Sequence, residues 1–127
     1  MNKTVVVSKN APMALGTYSQ GICVGKFIFT SGQIGVDPKT GKLCQTDFLT
    51  ESRQVLNNVK AILEAGGSSM DLIVKLTVFL TDLTNFSDLN IIFLDFFKKT
   101  PPARSTVEVS ALPLGAKLEI EAIGVVK

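Results

Sequence analysis

The chain has 127 residues, which fits one domain spanning 1–127 with a core that needs no disulfide or metal staple. Apolar residues make up 46% and charged residues 19%, which excludes disorder and a coiled coil. Thirteen Lys and Arg against eleven Asp and Glu leave a net charge of +2, too weak a field for electrostatically driven nucleic-acid binding.

Histidine is absent, which removes every mechanism that needs an imidazole. The longest apolar run, Ile91 to Leu94, is four residues, where a membrane span takes about twenty. The N-terminal MNKTVVVSKN has no secretory apolar region and no Arg, so neither a signal peptide nor a transit peptide is expected. Cys23 and Cys44 form no CxxC pair and read as free thiols in a reducing cytoplasm, the alternative being a single disulfide between them.

In chain order, Thr4–Ser8 is β-branched and reads as a strand that Asn10-Ala11-Pro12 breaks. Ile22–Val24 and Phe27–Thr30 form a hairpin whose Gly25-Lys26 connection suits a type II′ turn. Asp37-Pro38-Lys39-Thr40-Gly41 is a turn. Phe48–Ala65 predicts a helix. Phe48, Val55, Leu56, Val59, Ile62 and Leu63 share one stripe, Glu51, Arg53, Asn57 and Lys60 stay off it, and Gly66-Gly67 supplies a left-handed C-cap. Ile73–Leu80 reads as a buried strand. Asn85–Lys98 predicts a second helix, capped by Asn85 and turning Phe86, Leu89, Phe93 and Phe97 inward, with Lys98 and Lys99 at its negative end. Thr100-Pro101-Pro102 stops it, and strands follow over Arg104–Val109 and Lys117–Val126. The fold class is α+β, a mixed sheet with two helices on one face.

Two helices cover only one face of such a sheet. In the last strand Leu118, Ile120 and Ala122 alternate with Glu119, Glu121, Ile123 and Val125, so the second face mixes carboxylates with aliphatics. It is either a subunit interface holding a polar pocket or an amphipathic surface facing water.

Several residues could carry chemistry. Arg104 follows a double proline at a strand start and offers a planar fork for a carboxylate or phosphate; the alternative is a surface salt bridge. Glu119 and Glu121 share a strand face, and either could act as a general base or simply be solvated. Tyr18 could close a pocket or pack quietly, and Ser31-Gly32 could offer a hydroxyl and a backbone N–H or form an ordinary turn. No metal-ligand cluster, GxGxxG or P-loop is present in the sequence.

Taken together, Pro102-Ala103-Arg104-Ser105-Thr106-Val107-Glu108-Val109, Leu112-Pro113 and Leu118-Glu119-Ile120-Glu121-Ala122 resemble the C-terminal signature of the RidA family, also called YjgF, the reactive-intermediate deaminases. Asn10-Ala11-Pro12, Gly16-Thr17-Tyr18-Ser19-Gln20-Gly21 and Thr30-Ser31-Gly32-Gln33-Ile34 look like its N-terminal pattern, and Asn57–Leu63 and Val78–Leu83 also fit.

The resemblance implies a chorismate-mutase-like fold and a homotrimer with a site in each intersubunit cleft. It implies a 2-iminobutanoate/2-iminopropanoate deaminase that hydrolyses 2-enamino and 2-imino acids from pyridoxal-phosphate enzymes to 2-keto acids and ammonia. It implies no bound cofactor and no metal, while the short apolar runs and the weak net charge count against a membrane or nucleic-acid partner. Arg104 would pin the substrate carboxylate and Glu119 would activate water. Ser31, Gly32 and Thr106 would complete the pocket, Tyr18 would cover it, and Phe86 and Asn90 would contribute from the second helix. Many members carry Cys where this chain has Thr106, so thiol chemistry at that position is excluded. The alternatives are a non-catalytic protein binding small carboxylates or keto acids, and an RNA-cleaving translation inhibitor, against which the missing His and the weak charge both count.

Overall fold

A computed structural model describes residues 2–127. Six strands form one sheet: β1 (Lys3–Val6), β2 (Gly21–Val24), β3 (Phe27–Thr30), β4 (Ile73–Leu80), β5 (Ala103–Glu108) and β6 (Leu118–Val125). Their spatial order is β1-β2-β3-β6-β4-β5. Only β4 and β5 run parallel, and the helix α2 (Phe86–Phe96) connects them, as a parallel pair requires. The helix α1 (Phe48–Ala65) comes between β3 and β4. This is the mixed α+β sheet that the sequence predicts.

Both helices pack on the same face. Val55, Leu56, Val59, Ile62 and Leu63 of α1 and Leu89, Ile92 and Phe93 of α2 meet Ile28, Leu76, Val78, Leu80, Leu118, Ile120 and Ala122 of the sheet in one buried cluster. The ends of α1 are fixed locally. The Asp47 carboxylate accepts the Thr50 N–H at 2.7 Å, and Gly67 takes φ +84°, a conformation that costs a residue with a Cβ. The β2–β3 turn places Gly25 at φ +57° with Lys26 at negative φ, consistent with the type II′ geometry. Among the described residues no helix is long and apolar enough to cross a membrane, and both cysteines are free.

Several boundaries differ from expectation. β1 ends at Val6 rather than Ser8 because the Gln20 side-chain oxygen takes the Ser8 N–H at 2.6 Å, pulling the chain out of the ladder. α2 starts one residue later than predicted, and Asn85 makes no capping bond. Asp82 instead caps a short 3-10 turn over Leu83–Asn85, accepting the Thr84 N–H at 2.9 Å. α2 also ends at Phe96, so Lys98 and Lys99 lie beyond its last turn. β5 and β6 are each offset or shortened by a single residue at their ends.

The expectation that Glu51 stays off the buried stripe is also corrected: it is 1% exposed. Its carboxylate accepts the Lys117 N–H at 2.7 Å and so ties α1 to the segment entering β6. Asn58, equally buried, donates to the carbonyls of Ile34 and Val36 at 3.1 and 2.9 Å. These two polar groups sit inside the helix–sheet layer because loop backbone needs partners there.

Candidate active site

The sheet register determines which way each candidate side chain leaves the backbone. Arg104 is opposite Leu76, which is opposite Ala122, and both of these are core residues. Directly opposed residues share a face, so Arg104 leaves on the helix-covered side of the edge strand. Its guanidinium lies 5.2 Å from the ring centroids of both Phe86 and Phe93, and Nη1 donates to Asn90 Oδ1 at 3.0 Å. Phe86, Asn90 and Phe93 follow helical spacing, so one stripe of α2 presents all three to Arg104.

This cation has no counter-charge. The only ion pair among the described residues joins Arg53 to Asp95, so the salt-bridge reading of Arg104 does not hold. Burial lowers the Arg104 pKa, yet a guanidinium remains charged under ordinary conditions. A half-buried cation, oriented by an amide and flanked by two rings, therefore keeps much of its fork free for an anion. Thr106 follows two residues along β5 on the same side. Its hydroxyl oxygen is buried with no hydrogen-bond partner, which native interiors rarely tolerate unless something else satisfies it.

Glu119 lies on the other face. It is opposite Phe79, which is opposite Val107 on β5. Burial first, and the charge of Glu121 second, push its carboxyl above the ordinary 4.5. Gly32 lies against it, and a Cβ there would collide with the carboxylate. The Gly32 segment is held in place by Gln33, whose backbone exchanges two hydrogen bonds with Ile120 at 2.8 and 3.0 Å. The Ser31 hydroxyl donates to the Ser19 carbonyl at 2.5 Å, so its oxygen is left to accept. Tyr18 is 54% exposed in the preceding loop, where its hydroxyl accepts the Leu15 N–H at 3.3 Å. Tyr18 and Gly32 line one hollow of about 390 Å³.

One chain thus assembles the candidates into two groups. Phe86, Asn90, Arg104 and Thr106 gather along β5 and α2. Ser31, Gly32 and Glu119 gather on the open face, with Tyr18 beside Gly32. Arg104 and Glu119 are not brought together within the chain. The open face itself carries Val5, Phe27, Phe29 and Val107, all between 40% and 56% exposed, alongside Ile123 and Val125.

Sequence reasoning missed three contributors. Phe93 reads as core, yet it also flanks the guanidinium; the polar Asn90 within an apolar stripe was the available signal. Gln20 organises the Tyr18 loop, its amide donating to the carbonyls of Pro12 and Ser8 at 2.7 and 3.1 Å. Asn58 holds the turn after Ile34. Nothing in their local sequence separates these amides from exposed ones.

A family profile described as Endoribonuclease L-PSP matches residues 8–126. The chain is 50% identical over 128 residues to the 2-iminobutanoate/2-iminopropanoate deaminase of Salmonella typhimurium, covering 98% of each chain. It is 47% identical over 121 residues to a RutC family protein of Pyrococcus horikoshii, covering 95% of this chain and 96% of that one. The crystal structure of E. coli TdcF with bound serine matches with a TM-score of 0.91 at 45% identity, over 98% of this chain and 99% of that one. The length of these matches, at such identities and with the fold described above, means that the chain belongs to the RidA/YjgF family.

Proposed function

We infer that this protein is a hydrolytic deaminase of 2-imino acids, working as a homotrimer in the cytoplasm with its sites between subunits. The observation that carries the reading is Arg104: a half-buried, ring-flanked guanidinium with no carboxylate of its own. The half-identical Salmonella relative named as a 2-iminobutanoate/2-iminopropanoate deaminase supports the reaction, and the serine bound to TdcF supports a small carboxylate ligand.

In this reading the substrate carboxylate docks on the Arg104 fork and the Thr106 hydroxyl donates to the same ligand. Glu119 receives a proton from water as the oxygen adds to the imine carbon. Returning that proton to nitrogen makes ammonia the leaving group: the C–N bond breaks as the C=O bond forms, and the hydroxyl proton passes back to Glu119 and on to the departing ammonia, leaving the 2-keto acid and ammonium. A protonated imine is already electrophilic, so modest base assistance is enough, and a carboxyl with raised proton affinity suits both directions of transfer.

The opposite orientations of Arg104 and Glu119 support a site shared by two chains, and the apolar residues of the open face support burial against another copy. The test is ammonia release from 2-iminobutanoate generated in situ by a threonine dehydratase. Acceleration over the spontaneous rate, lost in Arg104→Ala, is expected. Tight binding of keto acids with no acceleration would mean a carboxylate-binding protein instead.

A further inference from the structure

The loop between β1 and β2 lines the hollow that Tyr18 and Gly32 share, yet it has almost no support of its own. Among the described residues, no backbone group from Pro12 to Ser19 bonds to another backbone group. Met13 and Leu15 are 76% and 80% exposed, and Gly16 takes φ +139°, so neither packing nor a regular turn fixes the path. One buried side chain holds the start of it. Gln20 Oε1 accepts the Ser8 N–H at 2.6 Å, and Nε2 donates to the carbonyls of Ser8, Ala11 and Pro12 at 3.1, 3.3 and 2.7 Å. The Gln20 backbone carbonyl accepts the Ser31 N–H at 2.8 Å. Gln20 therefore joins the loop to the strand end that leads to Gly32. It lines the same hollow, but its amide is committed to the chain rather than to a ligand.

We propose that Gln20 is a positioning residue for the site: its amide holds the Pro12–Tyr18 loop so that Tyr18 is in place beside Gly32 before a small acid arrives. The inference rests on the reading in which Tyr18 covers that acid, and it adds the group that keeps the cover ordered. A loop that must be ordered at each binding event lowers the fraction of competent sites, and the apparent affinity falls by that fraction. The Glu119 side does not depend on this amide. Gln33 and Ile120 fix the Gly32 segment through backbone bonds, and the Ser31 bond uses the Gln20 backbone. Loss of the amide therefore weakens binding and spares the chemical step.

The chain has a single tyrosine and no tryptophan, so its tyrosine fluorescence reports this loop alone. Gln20→Glu keeps the acceptor for Ser8 and removes both donor hydrogens. It should lower the Tyr18 anisotropy without ligand, raise the pyruvate dissociation constant and the iminobutanoate KM together by about fivefold to tenfold, and leave kcat within about twofold. A merely structural role would lower the melting temperature and leave these values at the parent's. A folded variant with the parent's anisotropy, or with the parent's pyruvate dissociation constant, overturns the proposal. If the variant does not fold, the parent decides through exchange of the Gln20 side-chain amide protons, followed by NMR. Pyruvate at about ten times its dissociation constant should slow that exchange about tenfold. Exchange as fast as in an exposed glutamine, or unchanged by pyruvate, overturns the proposal. A parent that binds pyruvate without turning over iminobutanoate ends the deaminase reading alone, and anisotropy and binding still judge Gln20. A parent that binds no pyruvate overturns the proposal together with the carboxylate assignment.

Discussion

Arg104 and Glu119 are set up by opposite electrostatic means. The guanidinium is partly stripped of water but cushioned by two aromatic faces and one amide oxygen, so its charge is retained and unspent. A lysine would keep the charge but lose the planar fork, and a bidentate carboxylate grip is worth roughly two charge-assisted hydrogen bonds. Arg104→Lys should therefore raise KM for iminobutanoate roughly tenfold to a hundredfold with a smaller change in kcat, measurable by steady-state ammonia release. Glu119 is instead penalised for its charge. Because the fold raises its pKa above 4.5, the folded chain favours the protonated acid, and ionisation at neutral pH costs stability. That cost is relieved as pH falls through the raised pKa. Glu119→Gln, permanently neutral, should melt a few degrees above the parent at pH 7, converge with it near pH 4, and lose imine hydrolysis. The acid limb of kcat/KM in the parent should sit above the ordinary glutamate value of 4.5.

At the scale of elements, the open-face group depends on what α1 does for loops it does not contact through its apolar stripe. Glu51 and Asn58 use buried polar atoms to hold the entry to β6 and the turn after Ile34. That turn follows directly from Gly32, which passes so close to Glu119 that no side chain fits between them. Gly32→Ala should displace the carboxylate by a fraction of an ångström to about one ångström, a misplacement that can cost on the order of a hundredfold in rate. Its signature is a fall in kcat larger than any weakening of pyruvate binding, with melting temperature nearly unchanged, because the carboxylate grip comes from Arg104 and the displaced group is Glu119. An unchanged kcat would mean that the Glu119 carboxylate is not held by its contact with Gly32. These elements also show where sequence reasoning stops. α1 is legible to the residue because its apolar period and its C-terminal glycines agree. The start of α2 is not legible because Asp82, three residues upstream of Asn85, caps a 3-10 turn that absorbs the expected helix start. Glu51 and Asn58 were illegible because a polar residue bonded to a distant loop carbonyl has the same local pattern as one facing water.

For the molecule as a whole, the sheet acts as a partition. Alternation along β6 was readable from the sequence and places Glu119 opposite the core, as found. What alternation could not give was the register of β5 against β4, which puts Arg104 on the core-facing side. In the proposed reading, a ligand that touches both residues lies between two copies of the chain, and this makes a prediction of its own. Arg104→Ala and Glu119→Gln chains should each be inactive alone. Mixed by unfolding and refolding together, they should regain activity, because some sites then pair an intact Arg104 from one chain with an intact Glu119 from another. For equal, random mixing each residue is intact in half of the positions, so about one quarter of the parent rate should return. Light scattering on the same samples should give a particle of three times 13.6 kDa. A site wholly within one chain would return no activity on mixing, whatever the particle mass, because every chain would carry one lesion.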